Sequence, residues 1–361
     1  MNISTFRKLA ASAFAAGAMM LGGAAYAAPA ADIVEASKSE GRLLIYSNMA
    51  AENWDPIVKG FNSLYPWITV ETLNFNASEA ITRYRAESGS NVPSADFIVT
   101  GAISDWIRFA DDKLAADYIS SEDASVPAWS KPFPGIYTFS TDPMGIAYNK
   151  IILDEKYRPD SFEAFKKVVV ENPGLFKGKI GAYPADAFGG AINMAFVRYH
   201  GDKGWQMLDA IGPSVKPGDG SGAIIEKLSR GENVAGYFMS APSFLPKLKG
   251  GLGSLIEYKY LTDGTPVFIR GMAIPAKATH GASAKLMLDF ILSEQGQIAV
   301  SQAGFTPYRD GLPRGQLRFD SLETLGEKIG KNDIVLIDYN REMLTSFDAF
   351  AQRWADAMGR N

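Results

Sequence analysis

The feature that most constrains this chain is a repeated switch of hydrophobic period. Arg42-Leu43-Leu44-Ile45-Tyr46-Ser47 is a short apolar run ending in a polar residue, as a buried strand does. Trp54, Ile57, Val58, Phe61 and Leu64 follow on one face of a helix, which Pro66 closes. The pattern recurs as a strand over 68–73, a helix over 78–88 and a strand over 95–100, then helical spacing through Trp106, Ile107 and Phe109. Strands separated by single helices predict a parallel sheet with both faces covered. The fold class is therefore α/β.

A second series follows. Residues 139–149 read as extended, 161–171 as a helix and 179–183 as a strand. Helices are expected over 189–199, 202–211 and 221–229, and strands over 234–239, 255–260 and 267–274. Residues 283–303 read as helical with a break around Gly296. Two α/β units without a flexible linker predict two lobes joined by strands, each a mostly parallel sheet flanked by helices, with a ligand crevice between them. The expected division is a signal peptide (1–27), a first part of lobe 1 (28–138), lobe 2 (139–266), and a return to lobe 1 with C-terminal helices (267–361).

The opening segment stands apart. Arg7 and Lys8 precede 23 uncharged residues, Leu9 to Ala31, rich in Ala, Gly, Ser and Met, which include Ala25-Tyr26-Ala27. A positive start, an apolar middle and small residues before a cleavage point form a secretory signal peptide. The expected mature chain starts at Ala28, is a monomer, and has no Cys to carry a lipid.

Composition removes several classes of function. The 361 residues are 47% hydrophobic and 21% charged, enough for a large core and unlike a disordered chain. A net charge of −4 provides no basic excess for nucleic acid. Zero cysteines exclude disulfides, thiolate nucleophiles and sulfur-ligated metals. Two histidines, His200 and His280, cannot build an HExxH site. No cofactor is expected.

Enzyme motifs are sparse. There is no GxSxG elbow, and Gly174-Leu175-Phe176-Lys177-Gly178-Lys179 falls one residue short of a Walker A loop. Gly218-Asp219-Gly220-Ser221-Gly222 reads either as a tight turn or as an anion cradle at a helix start. Asp111-Asp112 reads as solvated surface, and Trp54, Trp106 and Phe196 as core.

Several segments together resemble ABC-importer solute-binding proteins. They are the signal peptide, Leu43-Leu44-Ile45-Tyr46-Ser47, Pro93-Ser94-Ala95-Asp96-Phe97 with Thr100, Gly145-Ile146-Ala147-Tyr148-Asn149-Lys150, and Phe290-Ile291-Leu292-Ser293-Glu294-Gln295-Gly296-Gln297. The branch resembled is the ferric-ion, thiamine and 2-aminoethylphosphonate cluster of family 1 extracellular solute-binding proteins. The resemblance implies a periplasmic, type II "Venus flytrap" that closes on a small-molecule solute and docks on an inner-membrane permease with its ATPase. Its chain would cross between lobes near 139–146 and 267–274. It implies no chemistry on the solute. A flytrap-fold exported enzyme and a receptor-coupled sensor are the alternatives outside transport.

The resemblance also bears on the solute. Ferric-binding members typically use a His after the first strand, a Glu after the third and a tyrosine pair in the second lobe. Those positions match Ala50, Gly101 and Ala241-Pro242 here. Hard Fe³⁺ needs anionic oxygen donors, so a ferric cargo becomes the alternative reading. The expected cargo is a small organic anion or zwitterion, such as a phosphonate, phosphorylated compound or carboxylate. The expected binding residues are Ser47, Asn48, Thr100 and Gly101 on one side, and Asp186, Ala187, Phe188, Ser221 and Ser240 on the other. Arg270 on the second crossing strand would clamp the anion or form a structural salt bridge.

Overall fold

Apolar runs of about six residues cannot bury both faces alone, so they assemble side by side under helices. The computed structural model describes residues 29–359 other than Asn91 and Ala187. The expected signal peptide, the Ala28 start and the Ala187 site assignment lie outside the described residues. The ten strands among them are β1 Arg42–Ser47, β2 Thr69–Asn74, β3 Phe97–Thr100, β4 Ile136–Asn149, β5 Ile180–Ala182, β6 Val215–Pro217, β7 Ala235–Ser240, β8 Ile256–Tyr260, β9 Thr265–Ala273 and β10 Ile334–Ile337. They form one sheet in the order β2-β1-β3-β9-β4-β7-β5-β6, with β10 beside β9 and β8 beside β4.

β4 organises this sheet. Its first half, Ile136 to Pro143, runs antiparallel to β9. Its second half, Met144 to Asn149, pairs with β7 and β8. A single buried strand of 14 residues is therefore shared by two half-sheets. The outer pairs β1–β2, β1–β3, β5–β6 and β5–β7 are parallel, as is β9–β10. The antiparallel pairs all involve β4 or β9, where the chain passes between halves.

Apolar side chains gather into two large clusters, one mainly in each half, with a smaller third around Tyr46, Tyr84 and Trp106. One large cluster gathers Leu43, Ile45, Trp54, Phe61, Phe97, Phe139 and Phe290. The other gathers Ile146, Tyr148, Phe162, Phe196, Leu208, Ile224 and Tyr237. The last helix, Arg341–Ala357, sends Met343, Phe350 and Trp354 into this second core. Its first residue reaches back across the molecule, where Arg341 pairs with Asp111 at 2.6 Å. Among the described residues no helix is long and apolar enough to cross a membrane.

Candidate functional site

Parallel strands of both halves end at one crevice, and helices begin there. The helix Ala51–Leu64 follows β1, Ser221–Arg230 follows β6, and Ala241–Lys249 follows β7. Their N-cap residues are Ala50, Gly220 and Ser240, and none supplies a side-chain cap. A helix start leaves backbone N–H groups without intrahelical partners and carries partial positive charge. All three starts open on one cavity of about 590 Å³.

Asn48, Ala50 and Asn53 line it from the β1 side, and Ser221, Ser240 and Ser243 from the other half. Arg270 of β9 forms its floor. Among the described residues, the lining cations are Lys247, Arg270 and Arg318, against the single carboxylate of Glu52. Lys247 and Arg318 are exposed, and among the described residues neither joins an ion pair. Met49, Ile225, Pro242 and Phe305 supply apolar wall.

Arg270 is 8% exposed and already well partnered. Its Nη2 donates to Asp142 Oδ2 at 2.9 Å, and its Nη1 donates to Asn48 Oδ1. The guanidinium also lies 5.1 Å from the centre of the Phe305 ring. Among the described residues Nε has no hydrogen-bond partner. The geometry thus combines a salt bridge between the crossing strands with exposure of the same side chain to the cavity. Asp142 is 1% exposed and accepts a further hydrogen bond from Ser140.

Four of the sequence-derived site residues, Asn48, Ser221, Ser240 and Arg270, line this cavity. Five others are placed elsewhere. Ser47 is buried beneath the surface and accepts from Trp54 Nε1 at 3.0 Å. Thr100 is equally buried and donates to the carbonyl of Ala77. Gly101 donates its N–H to Asn48 Oδ1 and packs so tightly that an added Cβ would lie 2.9 Å from the Phe268 ring. Phe188 packs on that same ring, tilted, with centroids 4.7 Å apart, so the turns after β3 and β5 meet through an aromatic contact. Asp186 accepts from the N–H groups of Phe188 and Gly189, 3.0 Å each, at the start of the helix Gly189–His200. Its carboxylate fills the place a bound anion would take at that helix, as a capping residue does.

Other contributors escaped sequence reasoning. Lys247 lies in the second turn of the helix that Ser240 caps, and the strand–turn–helix pattern was the signal that could have found it. Arg318 follows a helix outside both crossing segments and has no such signal. It is held by Ser301 Oγ on its backbone N–H and by the carbonyl of Gln302 on Nη1. At the rim, Lys249 donates to the carbonyl of Arg318 at 2.6 Å, joining the halves. Among the described residues no group of three His, Asp or Glu side chains is gathered as a metal site.

A cavity between two α/β halves, roofed by helix starts, is the layout of a binding protein that closes on a solute. The model of the bacterial extracellular solute-binding protein family matches residues 47–298. The chain belongs to that family. Its fold is the two-lobed, type II periplasmic binding protein fold. A sequence search of curated proteins gave no match. Similar solved structures include the substrate-binding protein of an ABC transporter from Agrobacterium tumefaciens, at 20% identity and TM-score 0.76, covering 88% of this chain and 94% of that one. Iron-bound HitA from Pseudomonas aeruginosa is 19% identical, with TM-score 0.65 and coverage of 86% and 99%. AfuA from Actinobacillus pleuropneumoniae, with fructose-6-phosphate bound, is 20% identical, with TM-score 0.67 and coverage of 89% and 99%.

Proposed function

We propose that this chain is the periplasmic solute-binding component of an ABC importer, and that its cargo is a small organic anion or zwitterion. The supporting observation is the convergence, among the described residues, of three uncapped helix starts and the exposed cations Lys247 and Arg318, beside the paired Arg270, on one cavity lined by the single carboxylate of Glu52. Helix starts and guanidinium groups stabilise negative charge where water is partly excluded. The volume admits far more than a bare ion, so a charged head with an organic body fits the space, the body lying on Met49, Ile225 and Phe305. The similarity to an ABC transporter's binding protein and to a sugar-phosphate complex agrees with this reading. The site's donor set is what separates it from an iron carrier, because the positions that resemble iron ligands are Ala50, Gly101, Ala241 and Pro242. The release of cargo to a permease and its ATPase follows from the same reading.

The test is mass spectrometry of the compound released when freshly purified protein is denatured, with metal analysis alongside. The expected result is an anionic or zwitterionic organic molecule at near one per chain. Stoichiometric iron with no organic anion would overturn the proposal.

A further inference from the structure

Tyr183 follows β5 and is 5% exposed. The sequence pattern marks it only as the end of a strand. Its ring packs edge-on against Phe188 at 5.3 Å. Its hydroxyl oxygen sits between the two helix starts that face the cavity from the second half. It accepts from the Ser240 N–H at 3.0 Å and lies 2.7 Å from Ser221 Oγ. These are its polar partners among the described residues.

The direction of the second hydrogen bond can be worked out. A backbone N–H only donates, so the tyrosine oxygen already accepts from Ser240. If Ser221 also donated to it, the buried phenol proton would have no acceptor, at the cost of an unsatisfied donor. The arrangement that satisfies every donor runs from Ser240 N–H to Tyr183 Oη, and from Tyr183 O–H to Ser221 Oγ. Ser221 then keeps its own proton for the cavity it lines. Burial raises the Tyr183 pKa, with Ser221 and Ser240 opposing, so the phenol keeps the proton this chain requires.

We propose that Tyr183 is a positioning residue that fixes the Ser221 hydroxyl as a hydrogen-bond donor to an unprotonated oxygen of the cargo. This rests on the anion reading of the cavity and sharpens it. The Ser221 corner selects a ligand atom that accepts, and disfavours an ammonium or a donating hydroxyl there. The same phenol ties the starts of two helices together, so the donor is held before the ligand arrives.

Inorganic sulfate is the probe, because at neutral pH it accepts hydrogen bonds and donates none. Its binding to the full mature protein would be measured by calorimetry for wild type, Tyr183→Phe, Ser221→Ala and the double variant. Each single variant is expected to bind about five- to tenfold more weakly. The double variant is expected to match Ser221→Ala, since Tyr183 acts through that hydroxyl. Hydrogen exchange without ligand gives a second readout, with the Ser240 amide exchanging faster in Tyr183→Phe. Sulfate binding to wild type with multiplicative losses in the double variant, or unchanged affinity in Tyr183→Phe, would overturn the positioning role and leave the anion reading intact. Unchanged Ser240 exchange would likewise overturn it. No sulfate binding to wild type would overturn both.

Discussion

At the scale of single residues, the cavity separates charges that hold the fold from charges that meet the solute. Arg270 and Asp142 are both buried, and each satisfies the other across the two crossing strands. Removing one partner leaves the other charge unpaired in a low-dielectric site, which costs about 3–5 kcal/mol. Arg270→Ala is therefore expected to lower stability by that order in urea unfolding, and an affinity loss in this variant would not by itself identify a ligand contact. A midpoint within error of wild type would show that the pair is not what closes this floor. Lys247 and Arg318 behave differently, because both are exposed and outside the ion pairs found among the described residues. Screened surface charges are worth about 0.2–1 kcal/mol each. Lys247→Ala and Arg318→Ala are each expected to weaken anion binding by up to about fivefold in low salt, with the difference shrinking as salt rises. Losses that persist unchanged at 0.5 M salt would mean that these side chains contact the solute in a desolvated setting.

At the scale of elements, the legible parts were those with a local period. β1 and the helix Ala51–Leu64 follow from alternating apolar runs and 3–4 spacing, and the helices Gly189–His200 and Asp202–Ile211 lie within a residue of expectation. The break expected near Gly296 falls at Ser293, whose hydroxyl accepts from the Gly296 N–H and caps the next helix. Gly296 is there for a different reason, since a Cβ on it would collide with the Phe290 carbonyl. β10 has no sequence counterpart, and the C-terminal helices expected within 267–361 have no bounds there to match Arg341–Ala357, because a four-residue apolar run and a sparse buried stripe carry little period of their own. The site divides in the same way. Asn48, Ser221 and Ser240 stand at strand ends or helix starts and were readable, whereas Arg318 reaches the cavity only through tertiary packing. Gly145 in β4 shows how an element constrains a residue: an added Cβ would strike the Lys259 carbonyl and the Tyr258 ring. Gly145→Ala is expected to destabilise by about 1–3 kcal/mol, as overpacking does, and an unchanged melting temperature would refute the tight β4–β8 approach. The helix end at His200 adds a pH response. Burial lowers the His200 pKa below its ordinary 6.5, with Asp263 opposing, and among the described residues Nε2 has no hydrogen-bond partner. The unfolded chain takes the proton first, so this contribution is whole above about pH 6.5 and is lost as pH falls through the folded value. One such group changes stability by at most about 1.4 kcal/mol per pH unit. His200→Gln is expected to flatten stability between pH 7 and 5, and an identical pH profile would remove His200 from the response.

At the scale of the whole molecule, binding must be coupled to the arrangement of two halves that share β4 and are crossed again by β9. The second half's apolar cluster also takes in Ile103 and Ile107 of the first half, so movement of the halves would bend β4 and β9 and slide that apolar contact. Among the described residues, polar contacts between the halves include Lys249 to the Arg318 carbonyl at the cavity's edge, and Arg341 to Asp111 beside the last helix. Both pairs are exposed, so each contributes little to holding the halves together. A solute adds to closing only if it touches both halves and so binds the closed form better than the open one. Asn48 and Asn53 offer contacts from the first half, and Ser221, Ser240 and Lys247 from the second. The expected outcome is that the natural cargo reduces the radius of gyration in small-angle scattering. Asn48→Ala, on the first half, and Ser221→Ala, on the second, should each reduce affinity. At saturating ligand both variants should still reach the compact form, because the remaining contacts keep a differential affinity between states. A cargo that binds stoichiometrically with no change in scattering would show that the cavity captures its solute without lobe closure, and the coupling argued from the shared strands would fail.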